Sequence, residues 1–312
     1  MVKRDMYRFA AILLLSWAMC LGACSGNRDI PEKPAAGSRI LAAVSILPQV
    51  YFLERVAGDR ARSLVLAGPG QNPHTYEPTP KQMTGLAEAA FWVLSGAEFE
   101  IGLRPKIEAL FPALPIIDGT GGVRFRTLES HMDQEGQGED KAGIDRHSWL
   151  GAEPAKIMAV HIRDALTTAD PEGAAVYGEN CGALIGEIDA EFDALRAELA
   201  PLRGRTVFVY HPAFGYFLDE FGILQEAVET GGKEPTPRVL RDLMEKARRE
   251  EAAAIFVQAQ FSPGTAGSMA DALGIELITL DPLSPDWLAN IRIMGNALKK
   301  ALPGPNPAGA RE

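Results

Sequence analysis

Cysteine is scarce in this sequence, whose 312 residues include only Cys20, Cys24 and Cys181. Three cysteines are too few for a disulfide framework of the kind that holds small secreted domains together. The fold must therefore rest on a hydrophobic core, which a chain of this length can bury. The length suits about two domains of roughly 150 residues each.

Positive charge is also in deficit. Lysine and arginine total 31 residues against 41 aspartates and glutamates, so the formal net charge is −10. This argues against a general nucleic-acid-binding protein, because binding to phosphates depends on basic residues that displace counterions. The hydrophobic fraction of 46% and the charged fraction of 23% are ordinary for a globular protein and exclude a disordered or collagen-like chain.

Long hydrophobic runs are few, and the apolar run 9–20 is too short to span a bilayer as a helix. It follows a basic start and precedes small residues, which is the pattern of a secretory signal. The tetrapeptide Leu21–Cys24 resembles a bacterial lipoprotein box. Residues 1–23 are therefore predicted to be a lipoprotein signal peptide, and Cys24 the lipidated first residue of an exported protein.

Proline and glycine are frequent in the segment that follows this signal and in the last residues of the chain. Residues 24–39 contain two of each and lack apolar periodicity, so we expect a flexible tether behind the lipid anchor. Residues 303–312 carry three more prolines and are predicted to be a disordered tail.

Eight short apolar or β-branched runs alternate with helical patterns in the body of the chain. These runs are 40–46, 64–66, 91–94, 114–117, 206–210, 224–229, 254–258 and 275–280. Strands separated by helices are typical of parallel sheets. The sequence therefore predicts an α/β protein with an N-terminal lobe over 40–169 and a C-terminal lobe over 203–302.

One long helix is predicted between these lobes, over residues 170–202. Asp170 and Pro171 suit its first positions, and Pro201 and Gly204 suit its end. Between them, apolar residues recur at helical steps of three and four. They are Tyr177, Cys181, Leu184, Ile188, Phe192, Leu195 and Leu199. The two lobes are thus expected to be joined by one rigid helix.

Histidine is rare, with five in the chain, and two candidate metal ligands lie in each lobe. His211 follows a predicted strand directly, and so does Asp281. His74 and His147 lie in loops of the first lobe. Ligands of open α/β sheets bind beyond the carboxyl ends of the strands. Three imidazole nitrogens and one carboxylate oxygen suit tetrahedral zinc, although exposed or backbone-bonded histidines would fit the same positions.

Six short segments form a distinctive series along the chain. They are Asn72–Pro80 (NPHTYEPTP), His147–Leu150 (HSWL), His211–Phe217 (HPAFGYF), Gly231–Pro237 (GGKEPTP), Gln260–Ser262 (QFS) and Leu280–Leu283 (LDPL). In this order they resemble the signature of the zinc/manganese solute-binding lipoproteins of bacterial ABC transporters, the ZnuA/TroA-like family (cluster A-I). The resemblance covers roughly residues 40–302.

This resemblance implies a fold of two α/β lobes bridged by one rigid helix, and it implies His74, His147, His211 and Asp281 as metal ligands. The chain departs from the family pattern where Arg146 stands in place of the usual Asp-Pro before the second ligand. The loop that is often long and histidine-rich in zinc members is here poor in histidine. We expect that loop, residues 129–145, to be a solvated segment.

The third ligand bears on the choice of metal. Manganese-selective relatives tend to have glutamate where this chain has His211. Imidazole suits zinc, whereas carboxylate oxygen suits manganese, so the resemblance favours zinc as the cargo. A manganese receptor or a receptor for both metals remains the alternative.

The implied function is capture without reaction. An exported lipoprotein, periplasmic or on the cell surface, would bind Zn(II) between its lobes and deliver it to an ABC permease with its ATPase. We expect a monomer that is held at the membrane by its lipid and binds no nucleic acid. Glu77 and Glu234 are either candidates to orient the imidazoles or plain loop residues.

A zinc hydrolase or a surface adhesin is the alternative of another class. A hydrolase would require a general base beside the metal. The chain has neither the His-Glu-x-x-His nor the Gly-x-Ser-x-Gly pattern, so we predict that it is not an enzyme.

Overall fold

The computed structural model describes residues 39–128, 143–229, 234–261 and 264–302. The predicted signal peptide, the lipidated Cys24, nearly all of the tether, most of the loop 129–145 and the C-terminal tail lie outside the described residues. Within the described residues, no helix is both long and apolar enough to cross a membrane.

The N-terminal lobe is built on a parallel sheet of four strands in the order β2-β1-β3-β4. The strands are β1 (Ile40–Ile46), β2 (Ala61–Ala67), β3 (Phe91–Leu94) and β4 (Ile116–Asp118). The helices are α1 (Leu47–Ala57), α2 (Pro80–Glu88), α3 (Phe99–Leu110) and α4 (Ala152–Ala169). Every residue of β1 is buried, as expected for a central parallel strand covered on both faces.

The C-terminal lobe repeats this arrangement, with a parallel sheet in the order β6-β5-β7-β8. The strands are β5 (Thr206–Val209), β6 (Leu224–Ala227), β7 (Ala254–Gln258) and β8 (Glu276–Leu280). The helices are α6 (Gly215–Asp219), α7 (Pro237–Arg249), α8 (Gly264–Leu273) and α9 (Trp287–Ala301). In each sheet the chain first adds a strand on one side of the first strand and then crosses to the other side. This crossing creates the reversal of strand order beside which α/β proteins bind ligands.

The long helix is present as α5 (Ala174–Leu199), which is 26 residues and therefore ~39 Å long. A single 3₁₀ turn precedes it and another follows it, so the continuous α-helix is shorter than the predicted 170–202. All seven residues of the predicted apolar stripe are buried. Asp170 does not cap the helix as predicted, because its carboxylate accepts bonds from Arg60 and Tyr177 instead.

Ion pairs connect α5 to a helix of each lobe. Arg55 of α1 pairs with Glu187 at 2.7 Å, and Arg292 of α9 pairs with Glu191. One continuous hydrophobic core runs from the first sheet past α5 to the face of the second sheet that carries α9. The predicted class, two parallel-sheet α/β lobes joined by one long helix, is therefore confirmed.

Strand boundaries differ from the predicted ones by a few residues. β2 starts at Ala61, three residues earlier than predicted, because Ala61–Ser63 pair with β1 although they are not consistently apolar. β4 starts at Ile116, after Pro115, whose nitrogen has no hydrogen to donate to a sheet. Local apolar patterns locate a strand but do not show how far its partner extends.

Candidate metal centre

The loop after β2 carries His74. The side-chain oxygen of Asn72 accepts the backbone N–H of His74 at 3.0 Å, which shapes the turn. Thr79 and Gln82 then cap the start of α2, so both ends of the loop are held. The Nδ1 atom of His74 lies 3.0 Å from a carboxylate oxygen of Glu98, at the start of α3. The segments that follow β2 and β3, the two strands on either side of β1, therefore position this imidazole and its partner.

His147 lies just before a 3₁₀ turn, Ser148–Leu150, which leads into α4. One oxygen of Asp145 accepts the backbone N–H of His147 at 3.0 Å and lies 2.9 Å from its Nδ1. The other oxygen pairs with Arg126 at 2.9 Å. Burial alone would raise the pKa of Asp145, but the bonds from His147 and Arg126 outweigh it and hold that pKa below its usual range. Asp145 is thus a charged anchor for the second imidazole.

His211 follows β5 and is held from three sides. Its backbone N–H donates to the side chain of Gln258, which in turn donates to the carbonyl of His211. Its Nδ1 contacts a carboxylate oxygen of Glu229, and its ring stacks on Phe261 with centroids 5.0 Å apart. Burial lowers the pKa of His211 against the opposing effect of Glu229. The neutral imidazole is therefore favoured, which is the form that binds a metal.

The three imidazoles converge on one point. The Nε2 atom of His211 lies 3.0 Å from Nε2 of His74 and 3.3 Å from Nε2 of His147. Ligand nitrogens bound to tetrahedral zinc at ~2.0–2.1 Å are about 3.4 Å apart, so two of the three separations are close to that geometry. All three ligand atoms lie within 4.8 Å of one another. This donor set fits a zinc-sized ion.

Each of the three rings presents its Nδ1 side to a carboxylate. When an Nδ1–H donates to a carboxylate, the tautomer is fixed and the Nε2 lone pair is left for a metal. The partners are Glu98, Asp145 and Glu229 and neither of the two candidates Glu77 and Glu234. Glu234 instead accepts a bond from Tyr210. Only Asp145 is close to its histidine in sequence, so the other two partners leave no local signal.

Asp281 occupies the predicted place, directly after β8, but has other partners. Its Oδ1 accepts from Gln260 at 2.6 Å and from the backbone N–H of Leu283 at 2.9 Å. It is not part of the group of metal-ligating atoms that the three histidines form among the described residues. Asp281 as the fourth ligand therefore stays a prediction.

A cleft that is open to solvent contains the three imidazoles. Its wall is largely apolar, with Trp149, Phe261 and Leu283 among the lining residues. The side chain of His74 is 31% exposed, whereas those of His147 and His211 are 10% and 9% exposed. The cleft therefore gives access to the nitrogens from the side of His74.

Comparison with known proteins agrees with this arrangement. Residues 43–301 match the family described as the periplasmic zinc-uptake complex component A. The zinc-binding lipoprotein AdcA of Streptococcus pneumoniae serotype 4 is 26% identical over 286 residues, which cover 89% of this chain and 56% of AdcA. This chain thus spans little more than half the length of AdcA.

Two further relatives extend the comparison. The manganese-binding lipoprotein MntA of Halalkalibacterium halodurans is 22% identical over 280 residues, which cover 88% of each chain. A crystal structure of ZnuA has a TM-score of 0.78 and 32% identity, over 85% of this chain and 99% of that one. Relatives named for zinc and for manganese both occur, so the names do not distinguish the metals. The resemblance seen in the sequence is confirmed, and the chain belongs to the family of the periplasmic component A of zinc-uptake complexes.

Proposed function

We propose that this protein is the extracytoplasmic solute-binding component of a metal ABC transporter, which captures Zn(II) between its lobes and delivers it to a membrane permease. The observation that carries the proposal is the convergence of three Nε2 atoms from His74, His147 and His211. These residues come from both lobes, so a metal bound to them would hold the lobes together. Their nitrogens are the metal ligands in this proposal.

Zinc is the favoured cargo because the convergent donors are imidazole nitrogens. Manganese prefers carboxylate and other oxygen ligands. In this site Glu98, Asp145 and Glu229 face the Nδ1 atoms of the rings and not the point where the Nε2 atoms meet. A manganese ion would therefore meet nitrogen where it binds oxygen best.

A fourth ligand completes tetrahedral coordination. Asp281 supplies it if the carboxylate exchanges its bonds to Gln260 and Leu283 for the metal. Otherwise an oxygen that does not belong to the chain takes the position. Both routes keep three imidazoles as the constant part of the site.

Transport is a better account than hydrolysis. A zinc hydrolase needs a general base within reach of the metal-bound water. The three carboxylates around this site are each engaged with an imidazole, which makes them supports of the ligands. The proposed cycle is binding and release, without a chemical step.

The remaining assignments belong to the same proposal. Family membership supports an exported protein that works with a permease and an ATPase. The box at Leu21–Cys24 supports lipidation of Cys24 and attachment to a membrane. A monomer is part of the same proposal, since one chain supplies the three histidines and the site requires no second copy.

Metal competition tests this function. The purified protein is equilibrated with one equivalent of Zn(II) and a large excess of Mn(II), dialysed, and analysed for both elements. We expect one zinc per chain in the unmodified protein and none in His211→Ala. His161→Ala is the control, because His161 lies on α4 and contacts the carbonyl of Gly121. Bound manganese would favour the manganese receptor, and absence of both metals would refute the proposal.

A further inference from the structure

The guanidinium of Arg126 connects the two lobes beside the second ligand. Its Nη1 pairs with a carboxylate oxygen of Asp145 at 2.9 Å, and its Nε lies 3.0 Å from a carboxylate oxygen of Asp219 on α6. Asp145 belongs to the N-terminal lobe and is fully buried, whereas Asp219 belongs to the C-terminal lobe. One side chain therefore contacts a carboxylate of each lobe, and the first of these carboxylates is the partner of His147.

Tyr216, which also lies on α6, makes a second connection at the same place. Its hydroxyl accepts the backbone N–H of Arg126 at 3.0 Å and donates to the backbone carbonyl of Asp145 at 3.2 Å. The backbone N–H of Asp145 also donates to the carbonyl of Arg126 at 2.9 Å. A hydroxyl of the C-terminal lobe therefore bonds the backbone of both residues whose side chains form the ion pair.

Gly215, at the start of α6, leaves room for the guanidinium. A methyl group added there would lie 1.4 Å from Nη1 of Arg126 and 2.9 Å from a carboxylate oxygen of Asp145. Both distances are shorter than van der Waals contact, so alanine would displace the ion pair. The guanidinium is the end of a flexible side chain and can move without a shift of the backbone. The close packing of this ion pair on the opposite lobe thus depends on glycine.

These contacts bear on the metal through the other oxygen of Asp145. That oxygen accepts the backbone N–H of His147 and lies 2.9 Å from its Nδ1. A carboxylate that accepts an Nδ1 proton fixes the tautomer and the orientation of a ligand imidazole. A buried carboxylate that loses its cationic partner is left with an uncompensated charge, and water or another donor must replace that partner. The orientation of His147 therefore depends on Arg126.

We propose that Arg126 and Tyr216 are positioning residues for the metal, which orient the second ligand, His147, from the opposite lobe. Arg126 holds one oxygen of Asp145 so that the other meets Nδ1 of His147, and Tyr216 holds the backbone around this pair. The Nε2 lone pair of His147 is then available at the point where the three imidazoles meet. The inference rests on the proposed function and adds that the packing of the lobes is coupled to the orientation of a ligand.

NMR of the metal-free protein with ¹⁵N-labelled histidine tests this orientation, because the ¹⁵N shifts of an imidazole distinguish its two tautomers. The signals of His147 are assigned by their loss in His147→Ala. We expect the Nδ1–H tautomer in the unmodified protein and a larger share of the Nε2–H tautomer in Arg126→Gln, Gly215→Ala and Tyr216→Phe. Zinc affinity, measured by competition with a chelator, should fall about tenfold in each of these variants.

The chain offers a matched control at the other edge of the N-terminal sheet. Arg60, Asp170 and Tyr177 form a similar group, in which a guanidinium and a tyrosine hydroxyl both donate to one carboxylate. Arg60 lies before the amino end of β2, whereas the metal centre lies beyond the carboxyl ends of the strands. Arg60→Gln and Tyr177→Phe should lower the free energy of unfolding but leave the tautomer of His147 and the zinc affinity unchanged.

The three variants together keep the test independent of any one of them. Gly215→Ala keeps every hydrogen-bonding side chain, and Tyr216→Phe keeps the ion pair, so the result does not depend on the folding of Arg126→Gln. An unchanged tautomer and unchanged zinc affinity in the variants would overturn the inference, and so would equal losses in the controls. Metal content of the unmodified protein is measured first. A protein that takes up no metal refutes the proposed function, whereas zinc bound equally well by every variant refutes this inference alone.

Discussion

The indole N–H of Trp149 donates to the carbonyl of Pro282 at 2.8 Å, which joins the segment carrying His147 to the segment carrying Asp281. The carbonyl of Trp149 in turn accepts the indole N–H of Trp287 at 2.7 Å. Both indole rings are almost fully buried. The two lobes are thus connected by a hydrogen bond between two residues that line the metal cleft.

Replacing Trp149 by phenylalanine should weaken this connection. The ring would still pack beside His147, but the buried carbonyl of Pro282 would lose its donor. We expect a loss of about 1–3 kcal/mol in the free energy of unfolding, measured with urea, and weaker zinc binding, measured by competition with a chelator.

Trp92→Phe is the control for that experiment. Its indole N–H donates to Ser45 inside the first sheet, away from the cleft. A similar loss of stability with unchanged zinc affinity is expected there. If both variants lowered zinc affinity equally, the connection between Trp149 and Pro282 would have no specific role in the site.

Glu229→Gln should lower zinc affinity about 10- to 100-fold, because a carboxylate that accepts the Nδ1 proton of a ligand imidazole makes the ring more basic and fixes its orientation. Glu234→Gln is matched to it in chemistry, and Glu234 contacts Tyr210 and not an imidazole. Isothermal titration with zinc should distinguish the two variants. Equal affinities would mean that the carboxylate of Glu229 does not tune its imidazole.

Gly119→Ala should destabilise the N-terminal lobe. A methyl group there would overlap the carbonyl oxygen of Leu94, which is backbone and cannot move aside cheaply. We expect a loss of about 1–3 kcal/mol in urea unfolding. Gly102→Ala, within α3 and facing open space, should instead stabilise the protein by up to ~1 kcal/mol. A neutral Gly119→Ala would indicate that the turn after β4 relaxes easily.

Three glycines in α5 allow a test of whether the long helix bends during binding. Gly178, Gly182 and Gly186 are exposed and have no atom near the position of an added methyl group. Replacing all three by alanine should raise the melting temperature, because each exchange favours the helix by up to about 1 kcal/mol. Zinc affinity should be unchanged if α5 is a rigid support, whereas a lower affinity would show that binding requires the helix to flex.

Most secondary structure follows from local patterns. The apolar stripe from Tyr177 to Leu199 predicted the long helix, and the structure buries that entire stripe. The predicted strands are all present, because short buried parallel strands consist of continuous apolar runs. The ends of these strands were predicted less accurately, because the length of a strand depends on the strand that pairs with it. The pairing of β2 with β1 from Ala61 onward is an example.

The sequence by itself determined the α/β class, the bridging helix and the placement of the candidate ligands at the ends of strands or in the loops beyond them. These properties depend on residue type and on spacing along the chain. Only the tertiary structure decided that His211 lies within 3.3 Å of both His74 and His147, which are 137 and 64 residues away. It also assigned Glu98 and Glu229 to imidazoles 24 and 18 residues distant. Such pairings depend on the order of strands in two sheets and on how the lobes pack against α5, which no local pattern encodes.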